Sequence, residues 1–235
     1  DINFTGKTRQ AVTVNGSTPA PTLYMKEGET VTIDVYNQLH EDSSIHWHGL
    51  LVPPNMDGVP HLSFAGIKPQ QTFRYQFPLI QSGTYWYHSH TGGQEQDGLY
   101  GAIIAAPKNE TIKAERDYVI VLSDFSEEHS SEIISNLKMS SDYYANARLT
   151  LGNFFDDIEN KGSEKALKDA KDWGNMRMMR TDLADVTGYT FLVNGKSPEQ
   201  NWTGLFKPNE RVRLRFINAS AMSFFDVRIP GLKMS

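Results

Sequence analysis

The chain contains no cysteine among its 235 residues. A blue-copper electron-transfer centre needs a thiolate beside two histidines, so this sequence cannot build one. The absence leaves the redox compartment open, since cysteine-free chains occur in reducing and oxidising surroundings alike. Long apolar runs are also missing. None approaches the ~18 residues that would cross a bilayer, and no membrane span is expected. Nor is there a basic run, and a net charge of -5 argues against nucleic acid as a partner. The opening Asp1-Ile2-Asn3-Phe4 has neither the basic start nor the apolar core of a signal peptide.

What is present reads mainly as β structure. The length allows one large or two modest domains, and 11 prolines with 18 glycines spread through the chain suit a turn-rich β protein. Residues 11–14 run as a strand into Asn15-Gly16, a tight-turn pair. Residues 22–25 precede a turn at 26–29, and 30–37 then alternate cleanly, with Val31, Ile33 and Val35 directed at the core of a sandwich. Residues 72–77, 83–88, 102–107 and 116–125 continue the strand pattern. The period then changes: Ile133, Ile134, Leu137 and Tyr144 stand at helical spacing within 130–146. Ser163 can cap a helix carrying Ala166, Leu167, Ala170 and Trp173, with Glu164, Lys165, Lys168, Asp169, Lys171 and Asp172 as its solvated face. Strands are expected again at 189–194, at 210–218 with Val212, Leu214 and Phe216 alternating, and from 224 to 229.

Two of the strands carry chemistry. Residues i and i+2 of a strand share a face, so His46 and His48 project together, as do His88 and His90, while Trp47 and Ser89 point away. If the two strands approach each other, four imidazoles converge. Neutral imidazole ligates copper, zinc, iron and nickel, and a histidine-rich set without carboxylates leans towards copper or zinc. A lone histidine in a β domain is usually an ordinary polar residue, and His40 and His61 are read that way. Two His-X-His pairs holding four of the seven histidines are a different matter. Asp57 follows in a long loop; Asp57-Gly58 is an ordinary turn pair, yet it lies beside the first histidine pair in sequence. Met176, Met178 and Met179 could offer thioether sulfur to cuprous copper, although methionine more often packs.

Ser44-Ile45-His46-Trp47-His48-Gly49, Met56-Asp57-Gly58-Val59-Pro60, Gly83-Thr84-Tyr85-Trp86-Tyr87-His88-Ser89-His90, and Gln94 with Gly98-Leu99-Tyr100-Gly101 resemble the N-terminal cupredoxin domain of multicopper oxidases. Within that superfamily the wording is similar to the bacterial copper-resistance oxidases, which are laccase-like. The resemblance runs over about 4–107 and resumes at 182–188 and 218–232. It implies an all-β fold: a cupredoxin-like Greek-key β-sandwich over 1–112, and an incomplete second cupredoxin domain over 113–235 with a helical insertion at about 128–180. It further implies that the chain is the N-terminal part of a longer, periplasmic protein. His46 would serve a type 2 copper, and His48, His88 and His90 a type 3 pair, which together make half of a trinuclear cluster. Asp57 would assist proton delivery during the reduction of dioxygen to water. The type 1 copper, and the cysteine it needs, would come from a C-terminal cupredoxin domain of the same protein or a neighbouring subunit. The substrates implied are Cu(I) or phenolic molecules, and this chain alone would be inactive as an oxidase. A periplasmic copper-binding or sequestration module without turnover is the alternative.

Overall fold

The computed structural model describes residues 1–140, 143–144, 150–176, 186 and 188–231, with backbone alone at 173–176. The side chains of Trp173 and Met176, together with Met178, Met179, residues 182–185 and residue 232, lie outside the described set. Nine strands and three helices are described, in two compact units: 1–127 with 190–235, and 128–189.

The first unit begins with β1 (Ala20–Lys26), β2 (Thr30–Tyr36), β3 (His46–His48), β4 (Thr72–Pro78), β5 (Gly83–His88) and β6 (Tyr100–Ala106). One sheet has the order β1-β6-β5-β3, and β2 pairs with β4 in a second. Among these six strands the β1–β6 pair is parallel and the others are antiparallel. Non-sequential neighbours of this kind are what a Greek-key sandwich produces. Between the layers Trp47, Tyr75, Phe77, Ile103, Ile67 and Leu79 are fully buried, and the predicted inward row Val31, Ile33 and Val35 packs against them. Trp47 meets Tyr75 edge to face at a centroid separation of 5.0 Å. Truncating such a residue costs about 3–5 kcal/mol, so the strand bearing the first histidine pair is anchored by the side chain between them.

A third sheet, of three strands, follows: β8 (Thr190–Val193), β7 (Arg116–Phe125) and β9 (Val212–Asn218), in the order β8-β7-β9. Its Val121, Ile217 and Ala219 cover Tyr100 and Ala102 of β6, with Trp86 and Val119 alongside. The 128–189 unit holds α1 (Ser130–Met139), α2 (Leu151–Lys161) and α3 (Ser163–Met176). No helix among the described residues is long and apolar enough to cross a membrane.

Several expectations need correction. Residues 11–14 are not a strand; a single Val14–Ser17 bridge flanks the Asn15-Gly16 turn, whose φ values of 51° and 78° are both positive. Pro19 and Pro21 on the returning segment lack the N–H a ladder would need. Helix α1 ends at Met139 with Ser140 as its C-cap, and Tyr144 lies beyond it in a turn, where its hydroxyl contacts Glu128 and accepts from Asn136. Helix α2 was missed although its caps are legible: Thr150 accepts from the Asn153 amide at 3.1 Å, and Gly162 ends the helix at φ 84°. Leu167 is exposed while Ala166 is buried. In β9 the buried residue is Ile217, and Phe216 faces outward. The inward row there includes Arg215, whose side chain is largely buried and whose guanidinium reaches Asp117 and Thr84. Residues 224–229 form no strand; Arg228 pairs with Asp226 two residues away.

Tyr75 ties core to site. Its hydroxyl accepts the backbone N–H of Ile45 at 3.1 Å, one residue before His46, and burial pushes its pKa up to about 12. Tyr75→Phe should cost about 1–3 kcal/mol, because the buried amide loses its acceptor. The sign with pH follows. The unfolded phenol ionises near 10 and the folded one near 12, so wild-type stability is full below pH 10 and declines between these values. Denaturant unfolding as a function of pH should show a shallower alkaline decline in the Phe variant.

Candidate metal centre

Strands β3 and β5 pair antiparallel, with His46 opposite His88, Trp47 opposite Tyr87 and His48 opposite Trp86. Because side chains alternate across a strand, this register sends Trp47 and Tyr87 into the core and the histidines to the other face. Ring centroids of His46 lie 5.8, 5.3 and 5.6 Å from those of His48, His88 and His90. His46, His48 and His88 each offer a nitrogen, all within 4.8 Å of one another; among the described residues they form the one such group. His90 stacks beside His88 at 6.2 Å and sits at the solvent edge, outside that tighter set. His40 and His61 are exposed and do not join.

The hydrogen bonds behind the rings decide which nitrogens face inward. His46 Nδ1 lies 2.8 Å from the Asp57 carbonyl oxygen, and His88 Nδ1 lies 2.8 Å from that of Ser89. A carbonyl can only accept, so each Nδ1 carries the proton and each Nε2 keeps its lone pair. His48 is turned the other way: its Nδ1 sits 3.2 Å from His88 Nε2. Metal–imidazole bonds are about 2.0–2.1 Å, so two nitrogens at this spacing suit adjacent positions on one ion. The donor set is all imidazole, which suits copper or zinc. His48 is exposed on one side, but the partial desolvation of its ring, reinforced by charge repulsion from the neighbouring His88 and His46 rings, holds it below the usual imidazole range. The neutral ring is the form that binds metal.

The surroundings are built for this arrangement. Trp86 stacks on His88 at 4.3 Å and on His48 at 4.9 Å, walling one side. Gly58, at φ 73°, lies so close to β3 that a Cβ there would fall 1.8 Å from the Ile45 carbonyl oxygen. Only glycine passes, and the loop so held delivers Asp57 to His46, with Oδ1 at 3.3 Å from Nδ1. A second carboxylate escaped the sequence reading. Glu95 Oε2 lies 2.8 Å from His88 Nδ1. Its only sequence signal was an acidic residue in the turn after the second histidine pair.

A family model described as "Multicopper oxidase" matches residues 1–110, and a second of the same description matches 116–235. The chain is 53% identical over 237 residues to Copper resistance protein A of Escherichia coli, covering 100% of this chain and 39% of that protein. It is 52% identical to Copper resistance protein A of Pseudomonas syringae pv. tomato, with the same coverage of 100% and 39%. This chain therefore spans about two fifths of the length of these relatives. Among solved structures, the blue copper oxidase of Nitrosomonas europaea superposes with a TM-score of 0.60 at 27% identity, over 88% of this chain and 53% of that one.

Replacing His48 with alanine removes one of the three converging nitrogens. Cu(II) binding should weaken by at least about 100-fold, since losing a direct ligand should exceed the 10–100-fold typical of supporting groups. Titration against a competing chelator measures it, and an unchanged affinity would take His48 out of the site.

Proposed function

Since this chain belongs to the multicopper oxidase family, whose members bind copper, we propose that it supplies half of a trinuclear copper cluster in a laccase-like oxidase serving copper tolerance. The observation that carries the reading is the convergence of the His46, His48 and His88 nitrogens within 4.8 Å, two of them oriented by backbone carbonyls. Copper bound there supplies the chemistry that takes dioxygen to water while Cu(I) or phenolic substrates are oxidised. His46 would hold the type 2 ion through Nε2, and His48 and His88 a type 3 ion through Nδ1 and Nε2. His90, at the solvent edge beside His88, would complete the type 3 pair. Trp86 covers the ligand rings and limits water on that side.

Asp57 is the residue we assign to proton delivery. Its Oδ1 stands 3.3 Å from His46 Nδ1 and the residue is half-buried, so the carboxylate can take a proton from solvent and hold it beside the cluster. His46 itself is oriented by the Asp57 main-chain carbonyl, which a side-chain change leaves in place.

The cysteine that a type 1 copper needs is absent here. We assign it to a C-terminal cupredoxin domain of the same protein or a neighbouring subunit, and the whole protein to the periplasm. Residues 1–112 would be the first cupredoxin domain and 113–235 belong to the second. The missing thiolate also favours a second reading, in which the chain holds copper and passes it on without turnover.

Oxygen uptake separates the two. The 235-residue chain loaded with copper should consume no oxygen with a phenolic dye, whereas a protein joining it to a cysteine-bearing domain should; uptake by the chain alone would sink the division of labour proposed here. In the active protein, Asp57→Asn should lower turnover by roughly 100-fold or more with copper content unchanged. Equal loss of copper would reassign Asp57 to ligand support.

A further inference from the structure

His88 is the most buried of the four rings, and its Nδ1, hydrogen-bonded to a main-chain carbonyl, also has a carboxylate at ion-pair distance. The Ser89 carbonyl and Glu95 Oε2 both lie 2.8 Å away. The carbonyl belongs to the next residue along the strand, but Glu95 has to be brought in by the turn that follows. That turn is pinned. Gln94 is 3% exposed, and its amide spans the segments before the first histidine pair and after the second. Its Oε1 accepts from the hydroxyls of Ser43 and Ser89 at 2.8 and 2.9 Å. Its Nε2 donates to the Glu41 carboxylate and the Asp42 carbonyl, both at 2.8 Å. Every bonding direction of the amide is used, which fixes its orientation. Main-chain bonds from Gly98 to Glu95 and from Leu99 to Gln94 close the turn around it. Glu95 is thus aimed at His88 by a rigid frame.

The same device appears behind His46. There a main-chain carbonyl and a carboxylate, both of Asp57, meet Nδ1 at 2.8 and 3.3 Å. The two ligand rings that present Nε2 are each backed by a carbonyl and a carboxylate. His48, which presents Nδ1, is supported instead by the Trp86 stack.

We infer that Glu95 is a positioning residue of the metal centre: its carboxylate locks His88 as the Nδ1–H tautomer, turns Nε2 towards His48, and sets a negative charge behind a ligand of a bound cation. The inference rests on the reading that these histidines hold copper. Carboxylates in this position orient the ring and raise its basicity, and their loss costs metal affinity. Glu95 touches neither substrate nor metal in this role.

Two measurements test it. In the copper-free protein near pH 8, nitrogen chemical shifts of His88 should show a protonated Nδ1 in the wild type and a mixture of tautomers in Glu95→Ala. With Cu(II) as the only added metal and a competing chelator, Glu95→Ala should bind roughly 10–100-fold more weakly. Glu95→Gln, which keeps an acceptor but loses the charge, should recover the tautomer and part of the affinity. Thermal unfolding of the copper-free variants should match the wild type, because the Glu95 side chain is one-third exposed and supports the ring rather than the core. Unchanged tautomer and affinity in Glu95→Ala would overturn the inference and leave the Ser89 carbonyl as sufficient. A wild type that binds no Cu(II) would overturn the copper reading on its own, with the tautomer still deciding what Glu95 does.

Discussion

Everything at the candidate centre depends on the antiparallel register that sets His46 opposite His88. The side-chain period of a strand is two, so a slip of one residue would turn every histidine to the core and every core residue to the site. The register is held from inside, where Trp47, Tyr75, Phe77 and Tyr87 form an aromatic cluster. Burial of these rings is a large favourable term, and the imidazoles on the opposite face inherit its rigidity. Core and site are two faces of the same pair of strands. A metal centre would need its donors held before an ion arrives, and packing of this kind would do that holding.

Loops add what strands cannot. A strand fixes where a ring starts but leaves its torsion free, and a histidine presents one of two chemically different nitrogens according to what holds the other. The loop through Gly58 brings both a main-chain carbonyl and a carboxylate to His46 Nδ1, and the turn through Gln94 brings the Glu95 carboxylate to His88 Nδ1, beside the carbonyl of the adjoining Ser89. Both depend on close approach: one on a glycine that passes within van der Waals distance of β3, the other on a buried amide with all its partners. Buried polar groups of this kind are costly when half-satisfied and orienting when complete.

The outer sheet has a different task. Ile217, Val121 and Ala219 cover Tyr100 and Ala102, and Arg215 bridges from β9 to Asp117 and to Thr84 on the ligand strand β5. Asp124 is buried and accepts from Ala221, Met222 and Ser223, so the segment after β9 is tied down by a carboxylate rather than by strand pairing. Surface ion pairs contribute little individually; partly buried and shared between neighbouring strands, these secure the layer that backs Trp86.

Local sequence determined much of this protein. Alternation over 30–37, 72–77 and 83–88 marked strands because half-buried sheets demand period two, and the paired His-X-His motifs marked a site because that same period puts both rings on one face. The resemblance carried by those motifs pointed to the family that the comparisons later supported. Tertiary structure decided the remainder. Whether residues 11–14 or 224–229 become strands depends on a partner with free N–H and C=O groups, which no local pattern encodes. Which face of β9 is inward depended on what lay across from it, and an arginine with a carboxylate partner displaced the apolar row. The nitrogen each histidine presents, and the arrival of Glu95 behind His88, depend on loops that meet the strands only when folded, because a ring's tautomer is set by neighbours distant in sequence and close in space.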